Sequence, residues 1–216
     1  MTIYFISGLG ADSFIFKNLE FPEGTKLVYL DWINPIRDES LFDYAKRFSD
    51  LIDTSEPFSI VGLSMGGMIA VELSKIVKPE KIAIISSAST YREIPLWYRL
   101  GGKLSLHKLI PFKLAPVFRR PVYFFMGARK PGTRYLVDRY IDKMNIPLVE
   151  WSVDAILNWR NTYRPKNLLH IHGTRDKILP IKNIKPDIEI PNGGHLMLLV
   201  RAKEISAILN RFFGLR

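Results

Sequence analysis

Three side chains in this 216-residue sequence have the types and settings for nucleophilic acyl chemistry: Ser64, Asp176 and His195. A serine hydroxyl is a weak nucleophile until a neighbouring base takes its proton. Imidazole suits that task because its pKa lies near neutrality. A carboxylate can then orient the ring and stabilise its protonated form. Ser64 stands in Gly62-Leu63-Ser64-Met65-Gly66, Asp176 in His172-Gly173-Thr174-Arg175-Asp176, and His195 in Asn192-Gly193-Gly194-His195. Each candidate has a plainer alternative. Asp176 can be a solvated turn carboxylate, and Asp31 competes with it for the acid role. His170 and His172 belong to a strand and its end, where a packed structural role is expected. His107 lies in a basic segment and is expected to be solvated.

The spacing around Ser64 demands a particular local structure. Phe58 to Leu63 is an apolar, β-leaning run after Pro57, and Met65 to Val77 reads as a helix that Pro79 closes. A serine at such a strand-to-helix turn is held in a strained conformation with its hydroxyl exposed. Gly62 and Gly66 leave room where the chain passes close to itself. The Met65 N–H is then an orphan donor at a helix N-terminus, placed to stabilise an oxyanion beside Ser64.

Strands and helices alternate on both sides of this turn. Ile3–Ile6, Leu27–Leu30, Phe58–Leu63, Lys81–Ser87, Asn167–Gly173 and Ile188–Ile190 read as strands. Several are apolar throughout rather than alternating, as strands buried on both faces must be. Phe14–Leu19 reads as a short helix. Ser40–Ile52 is an amphipathic helix with Leu41, Tyr44, Ala45, Phe48, Leu51 and Ile52 on one face. Ile205–Phe213 completes a C-terminal amphipathic helix. The expectation is an α/β fold: a mostly parallel sheet of about six strands, covered by helices on both faces. In such sheets chemistry gathers at the carboxyl ends of the strands, where Ser7–Gly10, Asp31 and Ser64 fall.

From Tyr91 to about Tyr163 the alternation is lost. Aromatic residues mix with Arg and Lys, and six prolines between 95 and 147 cut the stretch into short helical pieces. It reads as a helical cap over 91–163, inserted into a core of 1–90 and 164–216. The net charge of +10 is unevenly spread: −4 over 1–90, +9 over 91–140 and +5 over 141–216. Arg119-Arg120-Pro121-Val122-Tyr123-Phe124-Phe125-Met126, then Arg129-Lys130, sets an apolar patch between cations. That pattern suits an acyl or aryl group with an anionic head, or transient contact with an anionic membrane. A solvated basic surface is the plain alternative. Nucleic acid is not expected, since no recognition motif accompanies the charge.

The chain has no cysteine, which excludes disulfides and thiolate nucleophiles and fits a reducing, cytoplasmic setting. No signal peptide and no membrane span are expected from the sequence.

The sequence resembles the α/β-hydrolase fold family, in a compact bacterial-type form. The resemblance rests on Gly62-Leu63-Ser64-Met65-Gly66, His172-Gly173-Thr174-Arg175-Asp176 and Gly193-Gly194-His195, in the family order, and covers the chain except the cap. It implies Ser64 as nucleophile, Asp176 as acid, His195 as base, and the N–H groups of Met65 and Leu9 as oxyanion hole. It implies an ester or thioester substrate and no cofactor or metal. Ser7-Gly8 stands where many members have His-Gly, which leaves Gly10 as an alternative second donor. An acyltransferase or lyase on the same scaffold, or a non-catalytic ligand receptor, is the competing expectation.

Overall fold

The computed structural model describes residues 1–109, 111–114 and 116–215. Ile110 and Ala115, both within the expected cap, lie outside the described residues. Six strands form one parallel sheet: β1 (Thr2–Ile6), β2 (Lys26–Leu30), β3 (Phe58–Leu63), β4 (Lys81–Ile85), β5 (Leu168–Gly173) and β6 (Ile188–Ile190). Their order is β2-β1-β3-β4-β5-β6. The chain steps one way from β1 to β2 and the other way from β3 onward. A crevice therefore opens between the carboxyl ends of β1 and β3, where ligands bind in open α/β sheets. Ser64 directly follows β3, and Ser7-Gly8-Leu9 directly follows β1.

The continuous apolar runs are explained by burial on two sides. Tyr4, Ile6, Phe58, Ile60, Ile82 and Ile84 face one core, with Leu41, Tyr44 and Phe48 of helix α1 (Leu41–Phe48) and nearly all of α2 (Met65–Leu73). Ile3, Phe5, Val61, Leu63, Ala83 and Ile85 face the other, with α7 (Met197–Val200) and α8 (Ala202–Phe213). Each large side chain so buried contributes about 1.5–3 kcal/mol of transfer free energy.

Several boundaries differ from the expectation. The expected helix Ser40–Ile52 stops at Phe48 and tightens into a 3₁₀ turn, Ser49–Leu51. Ser40 caps its start, accepting from the Asp43 N–H at 3.1 Å. The tighter turn rotates Leu51 off the apolar face, and it is exposed. The helix after Ser64 ends at Leu73, because Lys75 and Ile76 N–H bond three residues back and close the ladder into turns. Phe14–Leu19 forms only a 3₁₀ turn, Ser13–Phe16.

Between β4 and β5 the chain leaves the sheet and forms α3 (Leu96–Lys103), α4 (Arg119–Met126), α5 (Pro131–Asp142) and α6 (Ile146–Leu157), with short 3₁₀ turns before α3 and between α3 and α4. Among the described residues no helix is long and apolar enough to cross a membrane.

Candidate active site

Ser64 caps α2 with φ 53° and ψ −121°, a conformation that L side chains rarely adopt. Such a residue costs on the order of 1–3 kcal/mol and persists only when its surroundings fix it. The fixing bonds are explicit. The Ser64 N–H donates to Ile85 O at 2.9 Å, and Ser64 O accepts from the Gly67 N–H at 2.9 Å. The Ser87 hydroxyl donates to the same carbonyl at 2.6 Å. A Cβ on Gly62 would lie 2.5 Å from Gly67 Cα, and one on Gly66 would run into the carbonyl oxygens of Ile6 and Ser7. The two glycines are thus what let α2 cross β3 and β1 closely enough to lift Ser64 above the sheet.

His195 and Asp176 meet Ser64 there. His195 Nε2 lies 3.0 Å from Ser64 Oγ, and His195 Nδ1 lies 2.8 Å from Asp176 Oδ2. An ionised carboxylate only accepts, so Nδ1 carries the ring proton and Nε2 is left to accept from the serine hydroxyl. Asp176 and His195 are buried while Ser64 is half-buried at the crevice. Burial pushes the Asp176 carboxyl up. His195, the Leu179 N–H and His172 outweigh it and hold the carboxyl below its usual range. Asp176 Oδ1 accepts from the N–H groups of Ile178 and Leu179 at 2.8 and 2.9 Å, which fixes the carboxylate plane.

The three residues singled out by their chemistry are therefore together. Asp31 is exposed beyond the end of β2, and the carboxylate on His195 is that of Asp176. Leu9 follows Gly8, whose Cα faces Ser64: a Cβ there would lie 3.2 Å from Ser64 Cβ. Among the described residues neither the Leu9 nor the Met65 N–H has a hydrogen-bond acceptor. Gly10 takes φ 71° in the same turn.

His170 and His172 have the packed role expected of them, in a layer behind Asp176 and Ser64 whose placement the sequence did not show. His172 Nε2 donates to Leu179 O at 2.8 Å and stands 3.5 Å from Asp176 Oδ2. Burial pushes its imidazole down, so it packs neutral beneath the acid. His170 Nε2 donates to Ser87 O at 3.1 Å, and burial, then His172 and Arg164, lower its pKa to about 3. Ser87 is thus held from below while it holds Ser64. Its signal was faint: a serine just past a strand, in the run Ser86-Ser87.

His107 is corrected. It is buried, not solvated, and its Nε2 lies 2.7 Å from Asp154 Oδ1 of α6. The insertion folds back on itself, and α6 supplies a partner that local sequence could not reveal. The pair borders a cavity of about 510 Å³ lined also by Arg37, Phe112 and Trp151, which contains none of Ser64, Asp176 and His195. Arg119 is likewise engaged, 2.7 Å from Asp138 and 2.5 Å from Asp142. Among the described residues no group of three His, Asp or Glu is arranged to hold a metal ion.

An open parallel sheet with a strained serine elbow and a buried His–Asp pair defines a class, and the comparisons agree. The sequence matches the profile of the alpha/beta hydrolase family over residues 3–208, and the chain belongs to that family. Solved structures similar to it include a thermophilic esterase from Thermogutta terrifontis, 12% identical, with a TM-score of 0.72 over 99% of this chain and 89% of that one. A lipase-esterase related protein from Clostridium acetobutylicum is 17% identical, with a TM-score of 0.70 over 98% and 93%. The thioesterase RedJ of the prodiginine pathway in Streptomyces coelicolor is 14% identical, with a TM-score of 0.70 over 98% and 90%. At such identities the likeness is one of fold. No curated protein matches the sequence significantly.

Proposed function

We propose that this chain is a serine hydrolase of carboxylic esters or thioesters. The observation that carries the reading is the pair of hydrogen bonds from Ser64 to His195 at 3.0 Å and from His195 to Asp176 at 2.8 Å. Ser64 Oγ attacks the acyl carbon as its proton passes to His195 Nε2. Asp176 holds the ring and balances its charge. The carbonyl oxygen becomes an oxyanion received by the N–H groups of Met65 and Leu9. The tetrahedral adduct collapses, the bond to the alcohol or thiol breaks, and the leaving group takes the proton from His195. Water, deprotonated by His195, then attacks the acyl-enzyme and frees Ser64 with release of the carboxylic acid. Residues 91–163 act as a cap that shapes the acyl pocket.

A fluorophosphonate probe should label the protein at Ser64 and stop turnover of p-nitrophenyl esters or acyl-thioesters. Ser64→Ala should remove labelling and lower turnover by about 10³-fold or more while leaving the fold intact. Unlabelled wild-type protein, or full turnover by the pure variant, would overturn the reading.

A further inference from the structure

The insertion carries a surface that the hydrolase reading does not need. In an ordinary amphipathic helix the apolar stripe faces the core. In α3 it faces solvent. Leu96, Trp97, Leu100 and the capping residue Leu104 are each at least half exposed. At about 100° per residue they share one arc of the helix. The opposite side is closed against α6: a Cβ on Gly102 would lie 2.7 Å from Leu157 Cβ. Phe118, just before α4, and Phe124 within it are also more than half exposed. Of the large apolar side chains left exposed in the described chain, more than half fall between residues 96 and 125.

These exposed side chains lie in a cationic setting. From Ile94 to Val137 the sequence has nine Lys and Arg and no Asp or Glu. On the α3 wheel Lys103 and Arg99 border the Leu96 edge of the apolar arc. The surface is also next to the catalytic loops. The Leu196 N–H, beside His195, donates to Met126 O at the end of α4 at 3.4 Å. Lys177, beside Asp176, places its Nζ 3.0 Å from the centre of the Phe124 ring. Burial and then the Asp176 carboxylate push the phenol of Tyr98, on α3, upward.

We infer that the exposed faces of α3 and α4 dock this protein on an anionic lipid bilayer, with the crevice of Ser64 alongside the membrane. Leucines and aromatic rings enter the headgroup–acyl boundary while lysines and arginines meet lipid phosphates. A second copy of the chain is a poor occupant, because two such faces would set like charge against like charge. Nucleic acid is a poor one as well, since no nucleic-acid recognition motif accompanies the charge and the leucines of α3 offer bases no stacking platform.

The test uses Ser64→Ala protein, so that binding is read without turnover and is independent of the triad. It should co-sediment with vesicles of phosphatidylcholine containing about one third phosphatidylglycerol, and not with phosphatidylcholine alone. Binding should fall steeply between about 0.1 M and about 0.5 M salt as the screening length shortens. Trp97 emission should shift to the blue on binding, and Trp97→Phe should abolish the shift. Each cation is worth about fivefold in partitioning, so Lys103→Ala on α3 with Arg120→Ala on α4 should weaken it about 25-fold. Leu100→Glu with Leu104→Glu should abolish it. Equal binding to neutral and anionic vesicles, binding to neither, or indifference to that pair of cation substitutions would overturn the inference. So would retention on single-stranded DNA without vesicle binding, or a dimer broken by the leucine pair.

Discussion

At the scale of the residue, the site depends on which atoms hold the imidazole. His195 Nδ1–H has one acceptor, Asp176 Oδ2, while Asp176 Oδ1 is occupied by two backbone donors. Asp176→Asn keeps the shape and can keep the bonds through its carbonyl oxygen. It presents an amide N–H₂, however, where Oδ2 accepted. The ring must then turn over its tautomer, leaving a protonated Nε2 that cannot take the serine proton. The expected outcome is a loss in kcat of about 10³–10⁴-fold with KM and melting temperature little changed. An Asn variant with near-normal kcat would remove Asp176 from the mechanism. These three residues were legible in the sequence because each follows a strand and the chemistry asks for those types. Ser87 was not: it supports the Ser64 carbonyl through a contact 23 residues away, at 2.6 Å, that no local pattern encodes.

At the scale of the element, β5 is the informative strand. Its apolar character was legible, yet two imidazoles occupy its buried positions, with ring centres 5.5 Å apart and nearly perpendicular. Both Nδ1 atoms lie in the interior and have no partner among the described residues. For His170 the folded value of about 3 lies far below the ordinary value of 6.5. Between those values the unfolded chain binds a proton that the folded chain refuses. Stability is therefore whole above about pH 6.5 and falls as the pH drops toward 3, by an amount on the order of a few kcal/mol. His170→Asn removes that proton acceptor. Urea midpoints measured from pH 7 down to pH 4 should decline less steeply in the variant than in the wild type, whatever the variant's stability at pH 7. Parallel declines would show that other groups, His172 first among them, carry the acid sensitivity.

At the scale of the whole molecule, the sheet and the presence of a helical insertion after β4 were legible, and the contacts that seat the insertion were not. Strand periodicity and the glycine turns encode β1 to β6 locally, whereas the helices of the insertion take their positions from distant partners. The Trp151 indole N–H donates to Glu39 O at 2.8 Å, and Arg139 bonds Asp12 at 2.5 Å. Trp159 Nε1 donates to Glu72 Oε1 of α2 at 2.6 Å, in a buried pair whose other oxygen holds Lys75 at the same distance. These ties predict that the insertion and sheet unfold as one cooperative unit. Three of the four tryptophans, Trp97, Trp151 and Trp159, lie in the insertion, so fluorescence reports on it while far-ultraviolet circular dichroism reports on every helix and strand. The two signals should lose structure in a single coincident urea transition. Trp159→Phe leaves a buried carboxylate oxygen without its donor, which should cost about 1–3 kcal/mol. Because Glu72 belongs to the helix that begins at Ser64, both signals should shift by the same amount. A fluorescence transition that comes first, with the dichroism unmoved, would mean that the insertion melts as a separate body and that the link through Glu72 does not couple it to the sheet.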